Sequence, residues 1–190
     1  MQKHTIQTIT LVTIILAAAF SRIIPHMPNF SPLGAIAVFA AAHFADRRLS
    51  LVIPIAATWL SDLFLNNVIY AQAGQGFAWS YPGFYWQYAA YGIIALLSLG
   101  VFRRGLTVTK IISTSVVSGV AFFALSNFGV WFSSDLYPHN LSGLLACYAA
   151  ALPFYQGTVL GDAVYGIALF GGFFLSQRYF PVLQPARELP

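Results

Sequence analysis

Read for hydrophobicity, the chain is a series of long apolar runs with polar residues gathered near their ends. The runs fall at about 5–24, 30–45, 49–69, 85–102, 107–132 and 157–176. A helix that crosses a bilayer needs about 20 apolar residues, so these lengths predict six transmembrane helices. The second run is short and Ala-rich, a minimal span. Pro25, Pro28 and Pro32 punctuate the turn before it, and Pro82 with Gly83 marks the entry to the fourth. Pro54 lies inside the third run, where neighbouring helices can satisfy the freed backbone groups. A further segment at 141–155 is apolar but shorter and carries Pro153, which predicts a separate interfacial or re-entrant helix. The expected architecture is an all-α integral membrane bundle, one transmembrane domain over 1–190.

Composition supports that class. Hydrophobic residues are 58% of the 190 and charged residues only 7%, with a mean hydropathy of +0.73. Soluble domains carry about 25% charged residues, so this chain lacks the means to cover a water-facing surface. The pI near 9.4 resembles a nucleic-acid signal. Its cause is different, because nine Lys and Arg are scattered at the ends of the apolar runs. With the N-terminus inside, Lys3, Arg47, Arg48, Arg103, Arg104, Lys110, Arg178 and Arg187 are cytoplasmic, and only Arg22 is outside. That bias predicts a multi-pass protein with both termini cytoplasmic and no nucleic-acid partner. The first 20 residues also fit a secretory signal with cleavage after Ala19, which would leave the remaining topology unchanged.

With sides assigned, the polar residues inside the runs gather toward the outer face. Arg22 and His26 close the first run, and Asn29 and Ser31 open the second. Asp62, Asn66 and Asn67 end the third, Ser126, Asn127 and Trp131 the fifth, and Gln156, Thr158 and Asp162 open the sixth. Thr58, Trp59, Asp62 and Asn66 are spaced by three and four, as are Thr158, Asp162 and Tyr165, so each set shares a helix face. Charges within spans are costly and usually face a partner in the bundle interior. Arg22, the lone outer base, is therefore expected to pair with Asp62 or Asp162, or both aspartates contact a ligand or move an ion. The candidate substrate-binding residues are Arg22, Asn29, Trp59, Asp62, Asn66, Asn127, Trp131 and Asp162. The outer segments 70–84 and 133–156 are expected to form a lid.

Other chemistry finds less support. His26 and His139 lie beside prolines without ligand spacing, and the single Cys147 excludes a disulfide within the chain. No metal and no cofactor is indicated. Asn140–Ser142 matches a glycosylation sequon. No nucleophile elbow, phosphate-cradling loop or metalloprotease helix is present, so no catalytic residue is assigned. Ala37, Ala41 and Ala45, with Gly157 and Gly161, form small-residue ridges that fit close packing within the bundle or docking onto a partner.

The stretches RIIPHMPNFSPLGAIAVFAAAHF, IPIAATWLSDLF and SNFGVWFSSDLYPHNLSGLLACYAAALPFYQGTVLGDAVYGIALFGG resemble a family of small bacterial integral membrane proteins of unknown function. The SDLF and GDAVYGIALFG segments, and the architecture, also resemble the substrate-binding S components of energy-coupling-factor transporters. That resemblance implies a bacterial inner-membrane protein capturing a vitamin, cofactor precursor or similar micronutrient from outside. It also implies a transmembrane energising subunit with ATPases as partner, beside membrane lipid and the small-molecule ligand. S components dock through an Ala-xxx-Ala surface on their first helix, whereas here the alanine ridge is on the second. The alternatives are a membrane enzyme acting on a lipid or isoprenoid, and a non-catalytic subunit of a membrane assembly.

Overall fold

The computed structural model describes residues 2–74 and 76–184; Arg187, counted above among the cytoplasmic bases, lies outside the described residues. Among those residues the regular structure is all helical, with no strand. The helices are α1 (Gln2–Phe20), α2 (Leu33–His43), α3 (Arg47–Phe64), α4 (Phe84–Phe102), α5 (Val108–Ser133), α6 (Leu141–Gly166) and α7 (Gly172–Tyr179). A 3₁₀ turn, Ser21–Ile23, follows α1; π-helical turns, Leu65–Ile69 and Ile167–Gly171, extend α3 and join α6 to α7. Five segments are long and apolar enough to cross a membrane: Lys3–Ile23, Arg47–Ile69, Phe84–Phe102, Val108–Ser133 and Leu141–Tyr179.

The second expected span differs from the expectation. Its helix, α2, has 11 residues, about 16 Å at 1.5 Å each, which is half of the ~30 Å hydrocarbon layer. The chain reaches it through a non-helical segment at 24–32. Pro25, Pro28 and Pro32 lack the N–H a helix needs there, and Asn29 turns the backbone with φ 60. Asparagine tolerates that left-handed conformation better than most residues.

Short as it is, α2 is the centre of the protein. Leu33 and Ala35 through Ala41 are all buried, and the helix touches α1, α3, α4, α5 and α6. A helix apolar on every face can be satisfied only by being surrounded. Its alanines let five neighbours approach closely, so Ala37 and Ala41 serve packing within the bundle, while Ala45 is exposed. Leu11, Ile15 and Ala19 of α1, Ala57 of α3, Ile94 of α4 and Phe173 of α7 complete this core.

The expected separate helix at 141–155 does not exist. Leu141–Tyr179 is one continuous 39-residue helical rod, and Pro153 sits within α6, removing one intrahelical hydrogen bond without ending the helix. Asn140 starts the rod: its Oδ1 accepts from Gly143 N at 2.9 Å and from the Ser142 hydroxyl at 2.7 Å. The sequon asparagine is thus an N-cap. The rod is about 58 Å long, against about 39 Å for the 26-residue α5 beside it. Near its start it is fastened to α5, where Cys147 Sγ donates to the Asn127 carbonyl at 3.5 Å and the Tyr148 hydroxyl to the Ala124 carbonyl at 2.6 Å. Further along it lies on α2 instead, with Phe170 and Phe173 edge-on to Phe39 at 5.3 and 5.6 Å.

Candidate functional site

Arg22, on the 3₁₀ turn after α1, reaches across to α3. Its Nη1 donates to Asp62 Oδ1 at 2.6 Å and to the Ser61 hydroxyl at 2.9 Å. The Tyr88 hydroxyl of α4 donates to the other oxygen, Asp62 Oδ2, at 2.7 Å. Both Asp62 oxygens are thus engaged, and the pair is largely buried, with side-chain exposures of 18% for Arg22 and 7% for Asp62. Two charges can be held inside a bundle only with this degree of mutual satisfaction. On the loop before α4, burial first and the Asp62 charge second raise the Tyr81 phenol above its ordinary pKa. It stays protonated and donates to Gln87 Oε1.

Asp162 is held differently. It projects from α6, is 8% exposed, and lies beside the backbone N–H of Ala35 in the first turn of α2. A carboxylate there opposes the positive end of the α2 dipole. Two glycines make its niche. A Cβ on Gly34 would collide with Asp162 Oδ1, and a Cβ on Gly119 would stand 3.3 Å from Oδ2. Among the described residues Asp162 forms no salt bridge; the one ion pair is Arg22–Asp62.

Two cavities meet at this carboxylate. A polar pocket of about 160 Å³ is bounded by Arg22, His26, Asn29, Ser31, Gln87, Thr158 and Asp162, with Tyr91 and Phe122 as its aromatic wall. Those two rings stack at 5.3 Å, inclined by 10°. An apolar crevice of about 740 Å³ lies between the first half of α5 and the α6–α7 rod, and Asp162 lines it as well. The crevice is the gap between the start of α5 and the far half of the rod.

Glycines also fix the pocket's rim. A Cβ at Gly157 would collide with the Pro28 carbonyl, and one at Gly161 would stand 2.7 Å from Ser31 N. The 24–32 segment, which supplies His26, Asn29 and Ser31, is therefore seated backbone-to-backbone on α6. The Gly157–Gly161 spacing serves this contact.

Nearly the whole chain, residues 2–183, matches the family of unknown function DUF6580. The chain belongs to that family. No curated protein and no solved structure matches it.

In this DUF6580 chain the eight expected site residues separate into three places. Arg22, Asn29 and Asp162 line the polar pocket, and Asp62 stands behind Arg22 without lining it. Asn66 is half-buried in the π turn at the end of α3. Trp59, placed on the Asp62 face by spacing, points outward instead at 39% exposure, against 6% for Asp62. Three residues of helix turn the direction by about 300°, which leaves a wide aromatic free to swing to the outer wall. Its Nε1 donates to the Trp79 carbonyl at 3.3 Å and the two indoles stack at 6.5 Å. Asn127 Nδ2 donates back to the Phe123 carbonyl, and Trp131 Nε1 donates to the Pro138 carbonyl at 3.0 Å. Neither lines the pocket.

The expected lids also change. Residues 70–74 and 76–83 do form a loop, tied to α3 by Asn67, which exchanges hydrogen bonds with Ala78 at 2.8 and 2.7 Å. Most of 133–156, by contrast, is the start of α6. Gln87, Tyr91 and Phe122 were not among the expected residues. Gln87 and Tyr91 stand one turn apart on α4, polar positions in an apolar run, and that spacing was their signal. His26, which lines the pocket, has its Nδ1 2.9 Å from the Met27 carbonyl. Among the described residues no three His, Cys, Asp or Glu side chains come together to hold a metal.

Proposed function

We propose that the protein binds a small polar solute in the pocket between Arg22 and Asp162 and serves its uptake, as an S-component-like membrane receptor. The observation that carries this reading is Asp162: a buried carboxylate without an ion-pair partner among the described residues, at the wall of a polar cavity. A structural ion pair would resemble Arg22–Asp62, with both carboxylate oxygens taken. Asp162 instead shares its charge with a helix end and faces empty space beside Asn29, Gln87 and Thr158.

Pocket size limits the ligand. About 160 Å³ is below the ~300–1,000 Å³ of sites for drug-sized molecules. A small solute, or the polar head of a vitamin or cofactor precursor whose remainder extends toward the open side, fits that limit. The Tyr91–Phe122 wall suits a flat or apolar part of the ligand. By the positive-inside rule the pocket end faces outward, in a bacterial inner membrane with cytoplasmic termini, and an energising partner subunit would complete the uptake system.

The test is purification in mild detergent, with the small molecules retained identified by mass spectrometry. The Asp162→Asn protein should lose the retained solute at least tenfold while eluting as the wild type does. Equal retention by wild type and Asp162→Asn would sink the assignment. Turnover of a lipid or isoprenoid with no solute retained would replace it with the enzyme alternative.

A further inference from the structure

The apolar crevice carries an inference independent of the solute pocket. We infer that it seats an acyl chain of an anionic phospholipid, whose phosphate is held at the mouth by Lys110 and Arg178.

Depth is the first argument. Along α5 the crevice runs from Val108 to Gly119, 11 residues or about 17 Å. That is close to one leaflet of a ~30 Å hydrocarbon layer. It ends where Gly119, Tyr155 and Asp162 close it. Beyond that point α5 and α6 are joined by the Tyr148–Ala124 and Cys147–Asn127 hydrogen bonds and by the Phe123–Tyr155 ring contact at 4.9 Å. A partner's transmembrane helix needs a groove the full height of the bilayer, and this one is shut halfway. A lipid chain entering from one leaflet needs no more than half. The walls open sideways, with Val116 61% and Ile167 75% exposed, so the space is continuous with the surrounding hydrocarbon. Apolar walls give water too few partners to fill it.

Charge is the second. The mouth lies at the basic end of the bundle, beside the 103–107 loop and the end of α7. Lys110, on the first turn of α5, donates its Nζ to the Arg104 and Gly105 carbonyls at 2.9 and 2.8 Å. Two of its three donors are thereby committed, which fixes the ammonium and leaves one donor. The Arg178 guanidinium lies 4.7 Å from the centroid of Phe174, a wall residue. Arg103 and Arg104 are exposed on the turn between α4 and α5. Among the described residues Asp46 is the carboxylate at this end, and it is engaged as the N-cap of α3. Among the described residues a phosphate therefore meets bases with the one acid at this end already engaged, the pattern by which basic pockets between helices hold anionic lipid heads.

The full-length protein in mild detergent is mixed with phosphatidylglycerol or phosphatidylcholine of identical chains, and bound lipid is read by native mass spectrometry. Wild type should retain phosphatidylglycerol at least tenfold better. Removing a basic side chain near an anionic head weakens binding about fivefold, so Lys110→Gln with Arg178→Gln should lower phosphatidylglycerol retention about 25-fold. Gly166→Phe places a ring in the crevice where a Cβ meets nothing within 4 Å, and should reduce retention of both lipids. Equal retention of the two lipids by wild type, or undiminished binding by the Gly166→Phe protein, would overturn the inference. So would a lipid-free dimer. Should a variant fail to fold, a phosphatidylglycerol carrying a diazirine in its chain decides the matter on wild type alone. Crosslinks concentrated at 108–119 and 159–174 support the site, and crosslinks scattered over the bundle refute it.

Discussion

The Arg22–Asp62 pair allows a quantitative test of how the bundle tolerates its buried charge. Truncating either partner, as Arg22→Met or Asp62→Leu, leaves the other charge buried alone, and such losses cost about 3–5 kcal/mol. For a chain of this length about 2–4 °C of Tm accompanies each kcal/mol, so each single variant should melt about 6–20 °C lower in detergent. The double variant removes both charges, and the cost of a lone charge goes with them. What then remains is the Tyr88 hydroxyl, which donates to Asp62 Oδ2 at 2.7 Å and would be left unsatisfied at about 1–3 kcal/mol. Ser61 is less affected, because its hydroxyl also donates to the Thr58 carbonyl at 2.8 Å. The double variant should therefore be more stable than either single, and adding Tyr88→Phe should recover most of the remaining loss. Thermal melts followed by circular dichroism, arranged as a double-mutant cycle, give the coupling. Singles costing under about 1 kcal/mol each, or singles whose costs simply add in the double, would refute the account of a buried, mutually dependent pair.

Three further outcomes follow from the packing. Gly157→Ala pushes a methyl group into the Pro28 carbonyl and should destabilise by about 1–3 kcal/mol or more, with loss of the polar pocket that the displaced segment lines. Gly166→Ala, whose Cβ meets nothing within 4 Å, should instead be neutral or stabilising by up to about 1 kcal/mol through helix propensity; the two melts are read side by side. Asn140→Ala removes the cap of the α6 rod and should cost about 1 kcal/mol, visible as faster amide exchange over the first turn of α6.

Much of the fold was legible because bilayer thickness and backbone chemistry leave few solutions. The spans at 49–69, 85–102 and 107–132 agree with α3 and its π turn, α4 and α5 to within a few residues. The two departures have a common cause. An apolar run shows that a segment is buried, and the geometry of its burial depends on neighbours. The run at 30–45 is buried by protein on all sides, so it need not be long enough to span. The run at 141–155 joins the next because Pro153 within a helix costs less when the surrounding bundle supports it.

The polar residues show the same limit more sharply. Spacing along one helix placed Trp59 with Asp62, yet a three-residue step leaves an angle that a large side chain can use to face away. What separates the two aspartates lies on other elements. Asp62 has Arg22 and Tyr88 within hydrogen-bond reach, while Asp162 has a helix end and the missing side chains of Gly34 and Gly119. Neither glycine stands near Asp162 in the sequence, and a glycine in an apolar run reads first as packing. The structure turns that silence into chemistry: a carboxylate is buried where two helices give up their side chains to admit it. It sits on the wall between a polar cavity and a lipid-facing one. Asp62 has its two oxygens engaged by Arg22 and Tyr88, whereas Asp162 borders both cavities, and this difference in surroundings is what underlies the proposal that a ligand meets Asp162 rather than Asp62.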